Sequence, residues 1–385
     1  MAKMECFDLE GEPRARGAGF GAARRVAIRI CLADWFANLK ACGIRDPNAY
    51  VGRFLEDVDF MTSVHAHAQD VLEEVEGIAL GAKQPFELLF AAQLMDEEWS
   101  YRASLPSKWP SNAPQKCSSV AVRGPDKTVF IGQNMDLGTY TDGHQVALRI
   151  AAHQERPSAL VFSISSMIGL MGINSRGIGV CVNSISRLPA QRQGLPVAFL
   201  IRKILQANSL TDAVETITKT SHATPQHYVI ADATDIRSFE ASAAGATEYF
   251  SPYVTGVLHT NHPLAPGLEA YGSSVMASSA ARLKSLSNRL GQGSPDLEAV
   301  KAALSARDDP HNPVSRANNP AAAPNSVSGM IGFTTGSMIS ALRREAAELE
   351  SWMSAGPPHL RGYSRYSLRA ASNVVEQLHE NAARD

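Results

Sequence analysis

Apolar residues recur at helical spacing in the first hundred positions. Between Arg14 and Cys42 they fall at Val26, Ile30, Ala33, Phe36 and Leu39, steps of three and four that draw one stripe along a helix. Gly43 ends that stripe, and Asp46-Pro47 supplies a cap and a first turn for a second helix running towards Gly77. Pro85 to Glu97 reads as a third helix, and no run before Leu105 alternates well enough to be a strand. Pro106 to Lys116 contains three prolines among small polar residues and reads as an extended loop.

Beyond that loop the period changes from near four to two. Cys117 to Val122 and Thr128 to Gln133, turning at Gly124-Pro125-Asp126, predict a hairpin. Further strands are expected over Val146–Ala152, Ala159–Ile164, Ile178–Ser184, His227–Ala231, Ser238–Ser242 and Val257–Thr260. Helices are expected over Pro196–Gln206, Thr211–Lys219, Ser273–Leu290 and Leu297–Ala306. A Pro/Asn-rich loop, Arg307 to Asn325, precedes a last predicted hairpin, Ser326–Phe333 with Ser337–Leu342, turning at Thr334-Thr335-Gly336. Ser367 to Ala383 reads as an amphipathic helix. Helices first, then strands and helices in runs rather than strict alternation, indicate an α+β fold with mainly antiparallel sheets.

Composition narrows the function. With 385 residues, 44% hydrophobic and 19% charged, the chain can build a sizeable core. A formal net charge of -2, without a basic block or aromatic-basic array, argues against nucleic acid and against an anionic membrane surface. The longest mainly apolar run, Ala159 to Ile173, is too short and too polar to span a bilayer, and the first seventeen residues lack the apolar centre of a signal peptide. The cytoplasm is therefore the expected compartment. Five widely spaced cysteines, none in a CxxC pair, suit neither a disulfide framework nor a zinc ribbon. His65 and His67 lie two apart in a predicted helix and so point to different faces, which argues against a metal site there. No cofactor motif is present: there is no P-loop, GxSxG, HExxH or GxGxxG after a strand.

The remaining chemistry gathers around Cys117, which opens the β-rich region directly after the Pro-rich loop. The returning strand ends at Gly132-Gln133-Asn134-Met135-Asp136, and a hairpin would carry Asp136 back towards Cys117. The residues alone leave Cys117 open between a nucleophile and a buried small apolar side chain.

Several short elements, in order and nearly end to end, resemble the penicillin acyltransferase family of N-terminal-nucleophile cysteine hydrolases, related to the bile-acid amide hydrolases. They are Arg16-Gly17-Ala18-Gly19, Glu76-Gly77-Ile78-Ala79, Lys116-Cys117-Ser118-Ser119, Gly132 to Asp136, Gly172 to Val180 with Asn183, His259-Thr260-Asn261-His262, and Ser278 to Leu283. Lys116 stands where the family commonly has glycine, and Gln133 where the bile-acid enzymes carry arginine. The resemblance implies a four-layer αββα sandwich with two mainly antiparallel sheets. It also implies self-cleavage between Lys116 and Cys117, giving a helical segment 1–116 and a catalytic region 117–385 that stay packed as one unit.

In that scheme the Cys117 thiol is the nucleophile and its new α-amine, with an ordinary pKa of about 7.7–8.0, is the base. By resemblance, Asp136 holds that amine, Asn183 donates to the oxyanion, Asn261 donates to it or orients the amine, and Arg282 stabilises charge. Each has a plainer reading: an Asp136–Arg282 ion pair, a strand end at Asn183, a turn at Asn261. Gln133, Met135, Met167 and Met171 are candidate substrate-binding residues, the methionines because thioethers adapt to varied shapes. The implied activity is hydrolysis of a small N-acyl amide through a thioester. Transfer of the acyl group to an amine, and a non-catalytic ligand-binding relative, are the alternatives. A small-molecule amide is the expected partner, with assembly into a homo-oligomer left open.

Overall fold

The computed structural model describes residues 4–105, 117–185, 187–268, 277–318 and 332–371. The helical first part holds one short strand, β1 (Cys6–Leu9), then α1 (Pro13–Ala23), α2 (Arg25–Ala41), α3 (Pro47–Asp57), α4 (Phe60–Ala82), α5 (Phe86–Gln93) and α6 (Met95–Ser104). There follow β2 (Ser118–Arg123), β3 (Val129–Gly138), β4 (Gln145–Ile150), β5 (Ala159–Ile164), β6 (Met171–Asn174), β7 (Gly179–Ser184), α7 (Val197–Ile204) and α8 (Leu210–Lys219). The last third holds β8 (Gln226–Ala231), β9 (Ile236–Ser242), β10 (Gly245–Glu248), β11 (Gly256–His259), α9 (Ala277–Leu290), α10 (Leu297–Leu304), β12 (Gly332–Leu342), β13 (Glu348–Ser354), α11 (Pro358–Arg361) and β14 (Ser364–Arg369).

Two sheets organise these elements. One has eight strands in the order β1-β4-β5-β6-β7-β8-β9-β10, the other six in the order β11-β2-β3-β12-β13-β14. Among the described residues, every strand pairing is antiparallel except β1 with β4. The inner faces of the sheets meet closely. A Cβ on Gly179 of β7 would lie 2.7 Å from Ile131 Cγ2 of β3, and one on Gly336 of β12 would lie 2.0 Å from Phe162 Cζ of β5.

Alternation along β2 sorts its side chains between two cores. Ala121 belongs to the large inner core, while Val120 and Val122 join Leu286, Leu290, Val300 and Leu304 of α9 and α10 on the outer face. With α7 and α8 on the outside of the eight-stranded sheet, the order of layers is helix, sheet, sheet, helix. The architecture is the α+β, four-layer αββα arrangement with two mainly antiparallel sheets. No helix among the described residues is long and apolar enough to cross a membrane.

Several boundaries differ from the sequence reading. The Arg14–Cys42 helix breaks at Arg24, and the helix opening at Pro47 ends at Asp57, with a new one running from Phe60 to Ala82. Asp46 does cap the former, accepting from Ala49 N at 3.1 Å. β1 was hidden because four residues, Cys-Phe-Asp-Leu, are too few to show a period, and β4 supplies its partner from 141 residues away.

The expected last hairpin is instead one strand, β12, running through Thr334-Thr335-Gly336. Its ladder to β3 shifts register between Thr334 and Gly336, so the apparent turn is a β-bulge. Its second partner is β13, which the sequence reading did not include, and 326–331 lie outside the described residues. Ser364–Arg369 is the edge strand β14, which overturns the start of the expected terminal helix; 372–385 lie outside the described residues.

Candidate active site

Cys117 precedes β2 and is 2% exposed. Its side chain follows the inward parity of Ala121 and belongs to the inner core. The sulfur lies 3.6 Å from Met135 Sδ and 3.9 Å from the Asp136 carbonyl oxygen. Burial first, then the negative charge of Asp136, push the thiol up to about 12. The thiol therefore keeps its proton at neutral pH, and a nearby base is needed to raise its thiolate fraction.

The backbone of Cys117 is held from the opposite side. Arg282, fully buried in the second turn of α9, donates through Nη1 to Cys117 O at 2.5 Å and Ser118 Oγ at 3.0 Å. Its Nη2 donates to Asn261 Oδ1 at 2.8 Å. Asn261 Nδ2 in turn donates to Ser184 O at 2.9 Å, at the end of β7. Burial draws Arg282 down to about 10, opposed by Asp136 and Cys117, so the guanidinium stays charged at neutral pH. Arg282 thus grips the main chain at Cys117 rather than its sulfur.

Asn183, one residue before Ser184, is fully buried. Its Nδ2 donates to His259 O over a long 3.4 Å, and its Oδ1 accepts no hydrogen bond among the described residues. Asp136 Oδ1 accepts from Thr334 Oγ1 of the β12 bulge at 2.7 Å. The chain Cys117–Arg282–Asn261 is directly hydrogen-bonded, Asn183 adjoins it through Ser184 and His259, and Asp136 adjoins it along β3.

Gln133 serves another purpose from the one expected. Its Nε2 donates to Val182 O and its Oε1 accepts from Val182 N at 2.8 Å, so its amide bridges the two sheets. Met135 and Met167 line the cavity beside Cys117. Met171 is not on that wall: it pairs with Phe162 in the eight-stranded sheet and is fully buried. Lys116 lies outside the described residues.

The cavity is continued by Leu137, Gly169, Leu170, Val182, Val197 and Ile201, and is narrow, with a volume of about 20 Å³ open to water-sized atoms. It fits into a gap in the sheet. The β6–β7 ladder spans only Gly172↔Val180 and Ile173↔Gly179, and past it the chain before β6 diverges from Val182 and Ser184.

Sequence reasoning missed a buried polar cluster behind Asn183. His259 Nδ1 faces Thr260 O and Nε2 faces Glu240 Oε1, each at 2.8 Å. Glu240 also accepts from Leu264 N at 2.6 Å and Ala265 N at 3.0 Å. His227 stacks on His259 with ring centroids 3.6 Å apart, and burial followed by the charge of His259 holds it well below the ordinary imidazole range. Ser279 of α9 binds the 260–262 segment, accepting from Asn261 N at 2.8 Å. The His259–His262 motif was the available signal, but Glu240 and His227 sit in ordinary-looking strands. No group of three metal-ligating side chains occurs among the described residues.

Residues 122–327 match the model of the family described as acyl-coenzyme A:6-aminopenicillanic acid acyl-transferase. The matched span holds Asp136, Asn183, Asn261 and Arg282 and begins just after Cys117. The chain is 24% identical over 193 residues to the acyl-coenzyme A:6-aminopenicillanic-acid-acyltransferase 40 kDa form of Emericella nidulans, covering 50% of this chain and 51% of the relative. It thus spans about half the length of that relative.

Similar solved structures include conjugated bile acid hydrolase from Clostridium perfringens (C2A mutant), with TM-score 0.45 and 12% identity, covering 66% of this chain and 92% of that one. Penicillin V acylase from Agrobacterium tumefaciens gives TM-score 0.41 and 14% identity, covering 66% and 86%. A Caenorhabditis elegans N-acylethanolamine-hydrolyzing acid amidase ortholog gives TM-score 0.41 and 13% identity, covering 58% and 92%. With a family match over more than half its length, this chain belongs to the acyl-coenzyme A:6-aminopenicillanic acid acyl-transferase family.

Proposed function

We propose that this protein is a self-processing cysteine amidase that hydrolyses a small N-acyl amide through a thioester. The observation that carries the reading is Cys117: a thiol on the wall of an apolar cavity, at the start of a strand, with its carbonyl fixed by Arg282. Cleavage before Cys117 would give that residue a free α-amine next to its own thiol. An ordinary α-amine titrates at about 7.7–8.0 and can take the thiol proton near neutral pH, in a geometry one residue nearly fixes. The thiolate then adds to the acyl carbonyl, the oxyanion collapses, the amine leaves with a proton, and water releases the acid from the thioester.

Asn183 suits the oxyanion because its amide is buried and weakly anchored, so donating to a developing charge costs little reorganisation. Asp136, fixed by Thr334, is placed to hold the α-ammonium. The competing reading is acyl transfer to an amine, which the family description favours. Hydrolysis is preferred because the described cavity residues include an acid and no Lys or Arg to meet the phosphates of coenzyme A.

Mass spectrometry of the purified protein tests the reading, together with amine release from N-acyl amines and β-lactams. Two fragments, 1–116 and 117–385, and activity lost in Cys117→Ala are expected, with that variant remaining one chain. Active enzyme with an intact 116–117 bond overturns self-processing, and an active Cys117→Ala overturns the nucleophile.

A further inference from the structure

Three buried polar side chains stand side by side across the eight-stranded sheet. Asn183 of β7 is the cross-strand partner of His227 of β8, and His227 is the partner of Glu240 of β9. Directly opposed residues of an antiparallel ladder point to one face, so the three form a row. The facing sheet sets a single residue, His259 at the end of β11, against all of it. The main-chain oxygen of His259 accepts from the Asn183 amide at 3.4 Å, its ring stacks on His227 with 8° between planes, and its Nε2 meets Glu240 Oε1 at 2.8 Å. All four residues are at most 1% exposed. Glu240 fastens the following loop as well, because Oε1 accepts from Leu264 N and Oε2 from Ala265 N. One carboxylate thus holds both ends of the stretch from His259 to Ala265, which also carries Asn261.

The row bears on the reaction because so little holds Asn183. Among the described residues its Oδ1 accepts no hydrogen bond, and its Nδ2 has His259 O for its acceptor. An oxyanion donor works best when its N–H is aimed before charge develops. The aim of the Asn183 amide follows from where His259 stands, and Glu240 and the His227 ring decide that. We infer that Glu240 is a positioning residue: acting through His259, it aims the Asn183 amide at the acyl oxygen while Cys117 attacks. Glu240 does not line the cavity beside Cys117, so its effect falls on the rate of acylation rather than on binding. A glutamine there keeps the shape, but the two main-chain amides arrive at separate oxygens, and one of them would face an NH2 group instead. The inference rests on the amidase reading and on Asn183 as its oxyanion donor.

The test follows acylation of Cys117 by 4-nitrophenyl acetate, which releases 4-nitrophenolate as the thioester forms. Wild type, Glu240→Gln, Asn183→Ala and the double variant are compared by the rate constant of the burst, which does not depend on how much of a preparation is active. Glu240→Gln should lower that constant by roughly tenfold, with half-saturation changed by less than about threefold. In the Asn183→Ala background the same substitution should change it by less than about twofold, because the group it acts through is gone. Glu240→Asp, which keeps the charge and shortens the reach, gives a second version of the same cycle should the glutamine variant not fold. A wild-type constant in Glu240→Gln, a loss confined to half-saturation, or an equal loss in both backgrounds overturns the inference, the last by showing that Glu240 acts independently of Asn183. A burst that Cys117→Ala abolishes leaves the amidase reading standing in each of those cases. A burst equal in wild type and Cys117→Ala overturns both.

Discussion

At the scale of single residues, the site turns on how Arg282 spends its donors. One fork reaches a carbonyl, a hydroxyl and an amide oxygen from two segments: Cys117 and Ser118 on one, Asn261 on the other. A lysine would keep the charge but present a single compact ammonium, unable to span acceptors on separate elements. Arg282→Lys should therefore slow both chain cleavage and turnover while the protein still folds. Fragment formation over time and kcat are the measurements, and wild-type values for both would show that the fork is not needed. Asn183→Ala probes the other side of the reaction. If its amide meets the oxyanion, acylation should slow by roughly 10²–10³ with a smaller change in substrate binding, read by single-turnover kinetics. Full activity in that variant would mean another group is the donor.

At the scale of elements, two glycine-bearing helices decide how the first part of the chain packs. A Cβ on Gly77 of α4 would lie 2.1 Å from Arg14 O of α1, and one on Gly17 would lie 2.1 Å from Glu74 O. Gly21 and Gly81 are equally constrained, so the backbones touch along the crossing. Gly19, on the same helix, faces open space. Gly77→Ala should thus cost about 1–3 kcal/mol as the helices are forced apart. Gly19→Ala should be neutral or stabilise by roughly 0.5–1 kcal/mol, because it only removes backbone freedom. Denaturant melts of the two variants give the comparison, and equal effects would contradict the packing. The bulge in β12 follows the same logic. Gly336 leaves room for the Phe162 ring, and the displaced register carries Thr334 to Asp136.

At the scale of the whole molecule, a buried ion triad joins the segments on either side of residues 106–116. Glu74 of α4 accepts from Arg16 Nε at 2.6 Å and from Arg202 of α7 at 2.7 and 2.8 Å. Arg202 also donates to Ile168 O at 3.1 Å, beside the cavity. Burial pulls the Glu74 carboxyl up, but Arg202 and Arg16 outweigh it and hold it below its ordinary value. The sign follows: this stabilisation is full above the unfolded value of about 4.3 and is lost as pH falls through the lower folded value. Glu74→Gln should cost about 3–5 kcal/mol at neutral pH by leaving two buried guanidinium groups short of charge. It should also flatten the decline of stability on acidification. Unfolding midpoints across pH 3–7 test this, and an unchanged pH slope would remove Glu74 from the account. If the chain is cut before Cys117 as proposed, the same triad should help keep the fragments together.

What the sequence determined by itself was local or carried by resemblance. The switch of period near residue 117, the helices with clear stripes, and the cap at Asp46 depend on neighbours a few positions apart, which composition and spacing encode directly. Cys117, Asp136, Asn183, Asn261 and Arg282 were named from short motifs, but no spacing stated that Arg282 would grip a carbonyl rather than a thiol. The tertiary structure alone decided the features made by distant partners. Four residues of β1 became a strand because β4 met them, and Thr334-Thr335-Gly336 became a bulge because β3 and β13 paired on both sides. Gln133 became a bridge between sheets and Met171 core, because face and depth are set by packing. Glu240 and His227 carried no legible signal, since an isolated acid or imidazole in a strand looks solvent-facing until folding buries it.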